Sequence, residues 1–177
     1  MITRRAALGA AGAGLAALGT GTLIALSDKP ELPALPDSDY QGHKLWRNWS
    51  GVQHCYPQAR LSPKNQAEIV NALTTATGPI RVAGAGQSFS ALATTQASML
   101  SLDQWTGITG WAGDDAIVRT GTRLGDLYQA LAGRGRTVDS LTGLSGSSLD
   151  CTLGGALATG THASGKGLGA VHNAVTS

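Results

Sequence analysis

Two stretches, Arg81-Val-Ala-Gly-Ala-Gly-Gln-Ser-Phe-Ser90 and Gly154-Gly-Ala-Leu-Ala-Thr-Gly-Thr-His162, hold the residues whose types and spacing could do chemistry. Each combines glycines, whose bare backbone lets N–H groups approach a ligand closely, with short hydroxyl side chains. Such a combination wraps a pyrophosphate, and two of them in one chain point to a dinucleotide site.

The spacing excludes the commoner alternatives. Gly84-x-Gly86-x-x-Phe89 lacks the third glycine that lets a helix pack against its strand in a Rossmann unit, and no clear helical pattern follows it. Gly165-Lys166 is followed by Gly167 rather than Ser or Thr, which removes a nucleotide-hydrolysing P-loop. Gly86-Gln-Ser88-Phe-Ser90 misses the last glycine of a nucleophile elbow and has no helix after it, so a hydrolase is disfavoured. His43, His54, His162 and His172 show no metal-ligand spacing with one another or with Cys55 and Cys151, and no metal site is expected. Two cysteines so far apart give no disulfide framework and read as unpaired buried thiols.

The elements that must position the loops are legible in outline. Ser62-Pro63 reads as a helix N-cap with proline at the first helical position. Ala67, Val70, Leu73 and Ala76 or Thr77 then follow at helical spacing until Gly78-Pro79. Ile80 to Ala83 reads as a short buried strand, with Ser98–Leu102, Ala116–Thr120 and Thr137–Ser140 as further strand candidates. A second helix is expected from Arg123, capped by Thr122, with Leu124, Leu127 and Leu131 on one face and Gly133 as its stop. Mixed helices and strands in one layered α+β domain follow from that order.

Composition sets the remaining bounds. With 42% hydrophobic and 14% charged residues the chain reads as globular, and its 25 glycines and single phenylalanine imply a loop-rich core of small aliphatics. The formal charge of +2 comes from Arg4 and Arg5, and with basic and acidic residues balanced from Asp28 onward no nucleic-acid face remains. Thr3-Arg4-Arg5 precedes an uncharged run rich in Ala and Gly that ends at Ala25-Leu26-Ser27, the layout of a twin-arginine export signal over residues 1–27. A bacterial protein, exported to the periplasm or the extracellular space, is the expectation, with any membrane contact confined to that segment. Residues 28–45, rich in proline and charge at their start, read as a linker, and residues 46–177 as the folded domain.

Five segments in order resemble one family. Asn48-Trp49-Ser50-Gly51, Ser62-Pro63 with Glu68-Ile69-Val70, Arg81 to Ser90, Val118-Arg-Thr-Gly121 with Leu124 and Leu127, and Gly154-Gly155 to His162 look like the FAD domain of the vanillyl-alcohol oxidase/p-cresol methylhydroxylase flavoproteins. The likeness is strongest to their sugar-lactone (gulono- and arabinono-lactone) and alditol oxidases. The resemblance implies an FAD domain of two α+β subdomains with the cofactor between them. Gly84, Ala85, Gly86, Gln87, Ser88 and Phe89 would hold the pyrophosphate, and Ser145, Thr152, Gly155, Thr159, Thr161 and His162 would line the other side.

It also implies a flavin-dependent oxidoreductase acting on a CH–OH group of a sugar lactone or polyol, with a small sugar-type molecule as its partner. The alternative is a non-catalytic or decayed flavin-binding module without its substrate domain. Gln87 stands where many members carry a histidine bonded to the flavin, so FAD is expected to be held non-covalently. Ala163 stands where glycine is usual, and Cys151 reads as a small buried residue rather than a second flavin tether. By the same resemblance Val171 to Ser177 begins a strand of a longer protein, of which this chain is an N-terminal fragment. The catalytic acid or base would lie in the missing half, and no residue here is assigned that role.

Overall fold

The computed structural model describes residues 34–176. The expected export signal and the start of the linker lie outside the described residues. Among the described residues no helix is long and apolar enough to cross a membrane.

Seven short strands and four helices make up the folded unit that begins at Pro36. Strands β1 (Trp46–Arg47) and β2 (His54–Cys55) form an antiparallel pair. Strands β3 (Ala59–Leu61), β4 (Ile80–Ala83) and β5 (Ser98–Ser101) form a parallel sheet in the order β3-β5-β4. Strands β6 (Ile108–Ala112) and β7 (Asp115–Val118) form an antiparallel hairpin. Helices α1 (Gln66–Thr75), α2 (Leu124–Ala132), α3 (Asp139–Thr142) and α4 (Leu153–Ala158) complete the unit. The mixed α+β class expected from the sequence is what forms.

Parallel pairing explains the shape of the first half. Parallel strands of one sheet need crossovers between them, and α1 supplies the one from β3 to β4, which lie on either side of β5. The central strand β5 is buried along Ser98, Met99 and Leu100, as a strand covered on both faces should be.

Helix α1 corrects two expectations. Its N-cap is Asn65, not Ser62: the Asn65 side chain accepts from the Glu68 amide at 2.9 Å, and the Glu68 carboxylate accepts from the Lys64 amide at 2.8 Å. This reciprocal arrangement satisfies two donors at the helix start, which Ser62 is placed too early to do. The buried face runs through Ile69, Ala72 and Ala76, leaving Val70 at 51% and Leu73 at 54% exposure. Two apolar stripes overlap on this helix, and the one through Ala72 lies inward.

Helix α2 carries the stripe expected of it, and Leu124, Leu127 and Leu131 sit in the main apolar cluster with Leu141, Leu144, Leu153, Ala156 and Val171. Its cap differs: Arg123 holds the N-cap position, while Thr122 is buried, its hydroxyl accepting from the Gly107 amide at 2.8 Å and donating to the Arg119 carbonyl at 2.6 Å. Gly133 closes the helix in a right-handed conformation, and the left-handed turn falls at Gly135, φ +66°. Arg134 and Arg136 just beyond lie over the Trp111 ring and against the Asp114 carboxylate.

Three further segments depart from the sequence reading. Thr137–Ser140 is not a strand; α3 begins within it and turns Ser140 and Leu141 inward, so packing overrides the local preference. Residues 171–174 form a 3-10 turn rather than a strand, with Val171 donating its amide to the Thr161 carbonyl at 2.9 Å. Before Trp46 the chain is already ordered. Asp39 accepts the His43 amide at 2.8 Å and bonds the His43 ring at 2.8 Å, under a bridge between Ser38 and Lys44.

Candidate functional site

The two glycine stretches meet. A cavity of about 300 Å³ is lined by Gly84, Ala85, Gly86, Gln87 and Ser88 on one side and by Cys151, Thr152, Gly155, Ala158 and Thr159 on the other. Val82, Leu92 and Ala93 complete its apolar wall.

Local structure explains how each side is built. Strand β4 ends at Ala83, and Gly86 turns the chain with φ +70°, a conformation that glycine adopts without cost. Trp49 donates its amide to the Gly86 carbonyl at 2.9 Å. Asn48 donates from its side chain to the Ser88 carbonyl at 2.9 Å. Among the described residues, the amides of Gly86, Gln87, Ser88 and Phe89 have no protein acceptor.

The second stretch is not the open loop that its glycines suggest. Most of it is α4, capped by Thr152, whose hydroxyl accepts the Gly155 amide at 3.1 Å. Its glycines serve close packing: a Cβ on Gly154 would lie 3.2 Å from Thr120 Cβ, and one on Gly155 would lie 2.9 Å from Thr152 Oγ1. The two sides touch where a Cβ on Gly84 would fall inside contact distance of Thr152 Oγ1. Gly84→Ala is therefore expected to push the walls apart and weaken dinucleotide affinity about tenfold, since overpacking costs about 1–3 kcal/mol. Isothermal titration with FAD checks this, and an unchanged dissociation constant would refute the close approach.

Of the residues expected at the site, Gly84, Ala85, Gly86, Gln87, Ser88, Thr152, Gly155 and Thr159 line this one cavity. Four others do not. Phe89 is 65% exposed and meets the Trp49 ring edge-on at a centroid distance of 6.0 Å. Ser145 stands exposed at the residue before the 3-10 turn 146–150 and makes no side-chain cap bond to it. Thr161 and His162 follow α4, where His162 bridges to Ala170. Ala163 packs its methyl against the main core.

Sequence reasoning assigned no site role to Val82, Leu92, Ala93 and Ala158, whose apolar side chains carry no chemical signature. It took Cys151 for a buried structural thiol, whereas Cys151 is half-buried on the cavity wall; Cys55 is buried, and both are free.

Electrostatics suit an anion that the backbone would hold. No residue lining the cavity carries a charge, so a pyrophosphate would meet amide dipoles and hydroxyls without a competing carboxylate. Burial, with the Asp150 carboxylate beside it, pushes the Cys151 thiol up, which keeps it protonated and poorly nucleophilic. A larger groove of about 580 Å³ lies among Leu127, Leu131, Leu141 and Val171, but the Asp115 carboxylate in its lining would repel a phosphate.

Sequence comparison gives the class of the domain: residues 57–177 match the FAD binding domain family. The chain belongs to that family, in its p-cresol methylhydroxylase-type form, and FAD is the cofactor the family binds. Among individual proteins it is similar to D-arabinono-1,4-lactone oxidase of Eremothecium gossypii, 29% identical over 129 residues that make up 68% of this chain and 24% of that protein. It is also similar to L-gulono-1,4-lactone dehydrogenase of Mycobacterium tuberculosis, 30% identical over 133 residues, 68% of this chain and 28% of that protein. The D-arabinono-1,4-lactone oxidase of Candida glabrata is 27% identical over 140 residues, 74% and 26% of the two chains. The chain spans about a quarter of the length of these relatives.

Proposed function

We propose that this chain holds the pyrophosphate of FAD in the cavity between the Gly84–Ser88 loop and α4, as the cofactor-binding part of an oxidoreductase that acts on a CH–OH group of a sugar lactone or polyol. The observation that carries the reading is the run of unpaired amides, Gly86 to Phe89, on a loop bordering a cavity without charged side chains. An orphaned run of donors is costly unless a ligand or solvent satisfies it, and a pyrophosphate accepts several at once. The residues present therefore fit the cofactor. The lactone substrate rests on the likeness to lactone oxidases and a lactone dehydrogenase.

Bound FAD supplies acceptance of a hydride equivalent from the substrate carbon and its passage to an electron acceptor. The residues of this chain do the holding. Loop amides and the Ser88 hydroxyl would meet the phosphates, Thr152 fixes the start of α4 opposite them, and Val82, Leu92 and Ala93 supply an apolar wall. Export by the twin-arginine route fits a flavoprotein loaded with cofactor before it leaves the cytoplasm, and we place the mature protein in the periplasm or outside the cell.

Attachment is non-covalent in this reading, because Gln87 offers no nucleophilic ring nitrogen and the Cys151 thiol stays protonated. Acid precipitation of the FAD-loaded protein is expected to leave all the yellow colour in the supernatant. Flavin remaining on the pellet would contradict this. The cavity assignment itself is tested by titrating the flavin-free protein with FAD and following hydrogen exchange. Binding should slow exchange of the amides from 85 to 89 selectively, and protection confined to other segments would overturn it.

A further inference from the structure

Asn48 lies outside the stretch that matches the family and does not line the cavity, yet it is 5% exposed and every polar atom of its side chain is engaged. Its amide nitrogen donates to the Ser50 hydroxyl at 3.0 Å and to the Ser88 carbonyl at 2.9 Å. Its side-chain oxygen accepts from the Gln53 amide at 3.0 Å, and its backbone amide donates to the Gln53 carbonyl at 2.9 Å. The β1–β2 turn is thus built around this one side chain. The neighbouring Trp49 amide reaches the same loop at the Gly86 carbonyl.

A trans peptide points its C=O and the following N–H in opposite directions, and no peptide among the described residues is cis. With the Gly86 and Ser88 carbonyls drawn to the β1–β2 turn, the Gln87 and Phe89 amides must face the other way. That is the side away from the turn, and of these two residues Gln87 lines the cavity. No residue of the turn lines the cavity, so the turn braces the loop from behind.

We propose that Asn48 is a positioning residue that sets the peptide orientation of the glycine loop, and through it the aim of the Gln87 and Phe89 amides at the cofactor phosphates. The phosphate part of this rests on the function proposed above; the loop-orienting part does not. A side chain that can only accept, or that cannot span the gap, frees the Ser88 carbonyl and lets the peptide after it rotate.

The test compares wild type, Asn48→Asp and Asn48→Ser by FAD titration between pH 5 and 9 and by amide hydrogen exchange of the flavin-free proteins. Asn48→Asp keeps the shape but as a carboxylate has no hydrogen to donate. Its FAD dissociation constant should exceed that of wild type by tenfold or more at high pH and recover toward it as the carboxyl protonates. The wild-type profile should stay flat by comparison. A merely structural loss would lower affinity without that selective recovery. Asn48→Ser, which introduces no charge, should raise the constant tenfold across the range. The Trp49 amide, which the Gly86 carbonyl protects in wild type, should exchange at least tenfold faster in both variants, with β5 unchanged.

Wild-type affinity in both variants would overturn the proposal. Should wild type bind no FAD, the function above fails, and exchange alone decides: faster exchange of the Trp49 amide with β5 unchanged upholds the brace, and unchanged exchange removes it.

Discussion

Gly86→Val is expected to raise the FAD dissociation constant a hundredfold or more while leaving the parallel sheet folded. Gly86 has φ +70°, where a residue with a Cβ pays about 1–2 kcal/mol and a β-branched one pays more. Space is short as well, because a Cβ here would lie 3.3 Å from both Asn48 Cα and Trp46 Cζ2. Either the loop carries that strain or it moves away from β1 and the following turn. Moving breaks the bond from the Trp49 amide to the Gly86 carbonyl and reorients the Gln87 amide.

A loss of about 2.7 kcal/mol is a hundredfold in affinity. Gly86→Ala, spared the β-branch, should lose about tenfold. Strand β4 ends three residues earlier at Ala83, and its pairing with β5 does not involve the loop, so far-UV circular dichroism should match wild type. FAD affinity equal to wild type in the valine variant would remove the loop from the site.

That expectation could be framed from sequence because the loop's chemistry is local: Gly84, Gly86, Ser88 and Ser90 fall within seven positions and are visible in one line of residues. The Leu124, Leu127, Leu131 stripe and the apolar run of β5 were legible for the same reason. What escaped depends on partners far along the chain. Strand β3 owes its existence to pairing with β5, Ala59 opposite Ser98, and three residues with an arginine in the middle give no strand signal alone.

Thr122 reads as a helix cap because hydroxyls favour that position, yet the Gly107 amide and the Arg119 carbonyl claim its hydroxyl. Glycines 154 and 155 argue against a helix by propensity, but α4 needs them to approach Thr120 and to admit the Thr152 cap. Asn48 was visible as part of a motif but not as a brace, since its partner on the loop is 40 residues away. Propensity and spacing report what a segment can do by itself, and a close approach between two segments appears in neither.

Gly121 shows the same limit with a larger consequence. Gly121→Ala is expected to destabilise the whole unit by about 3 kcal/mol or more, lowering the melting temperature by about 10 °C for a chain of this size. The backbone there is not left-handed, so the cost is purely one of space. A Cβ would overlap the Leu102 carbonyl oxygen, lie 2.5 Å from the Trp105 carbonyl oxygen and 2.9 Å from the Leu102 carbonyl carbon. All three are backbone atoms, and none can swing aside as the end of a long side chain would.

The crowding falls where three segments cross. The turn after β5 is closed by the Trp105 amide on the Leu102 carbonyl at 2.8 Å, and the Arg119 guanidinium lies 4.2 Å from the Trp105 ring centre. On either side of Gly121, the Thr120 and Thr122 carbonyls accept the Gly154 and Leu153 amides, each at 2.8 Å. Displacing Gly121 therefore loosens the turn after β5 and the start of α4 together, and with α4 goes the Thr152 wall of the cavity. Thermal denaturation should show one transition shifted down, and FAD affinity should fall at temperatures where the variant is still folded. A variant that melts with wild type would mean that the 102–105 turn can retreat from Gly121, and that the contact is not what holds β5, β7 and α4 in place.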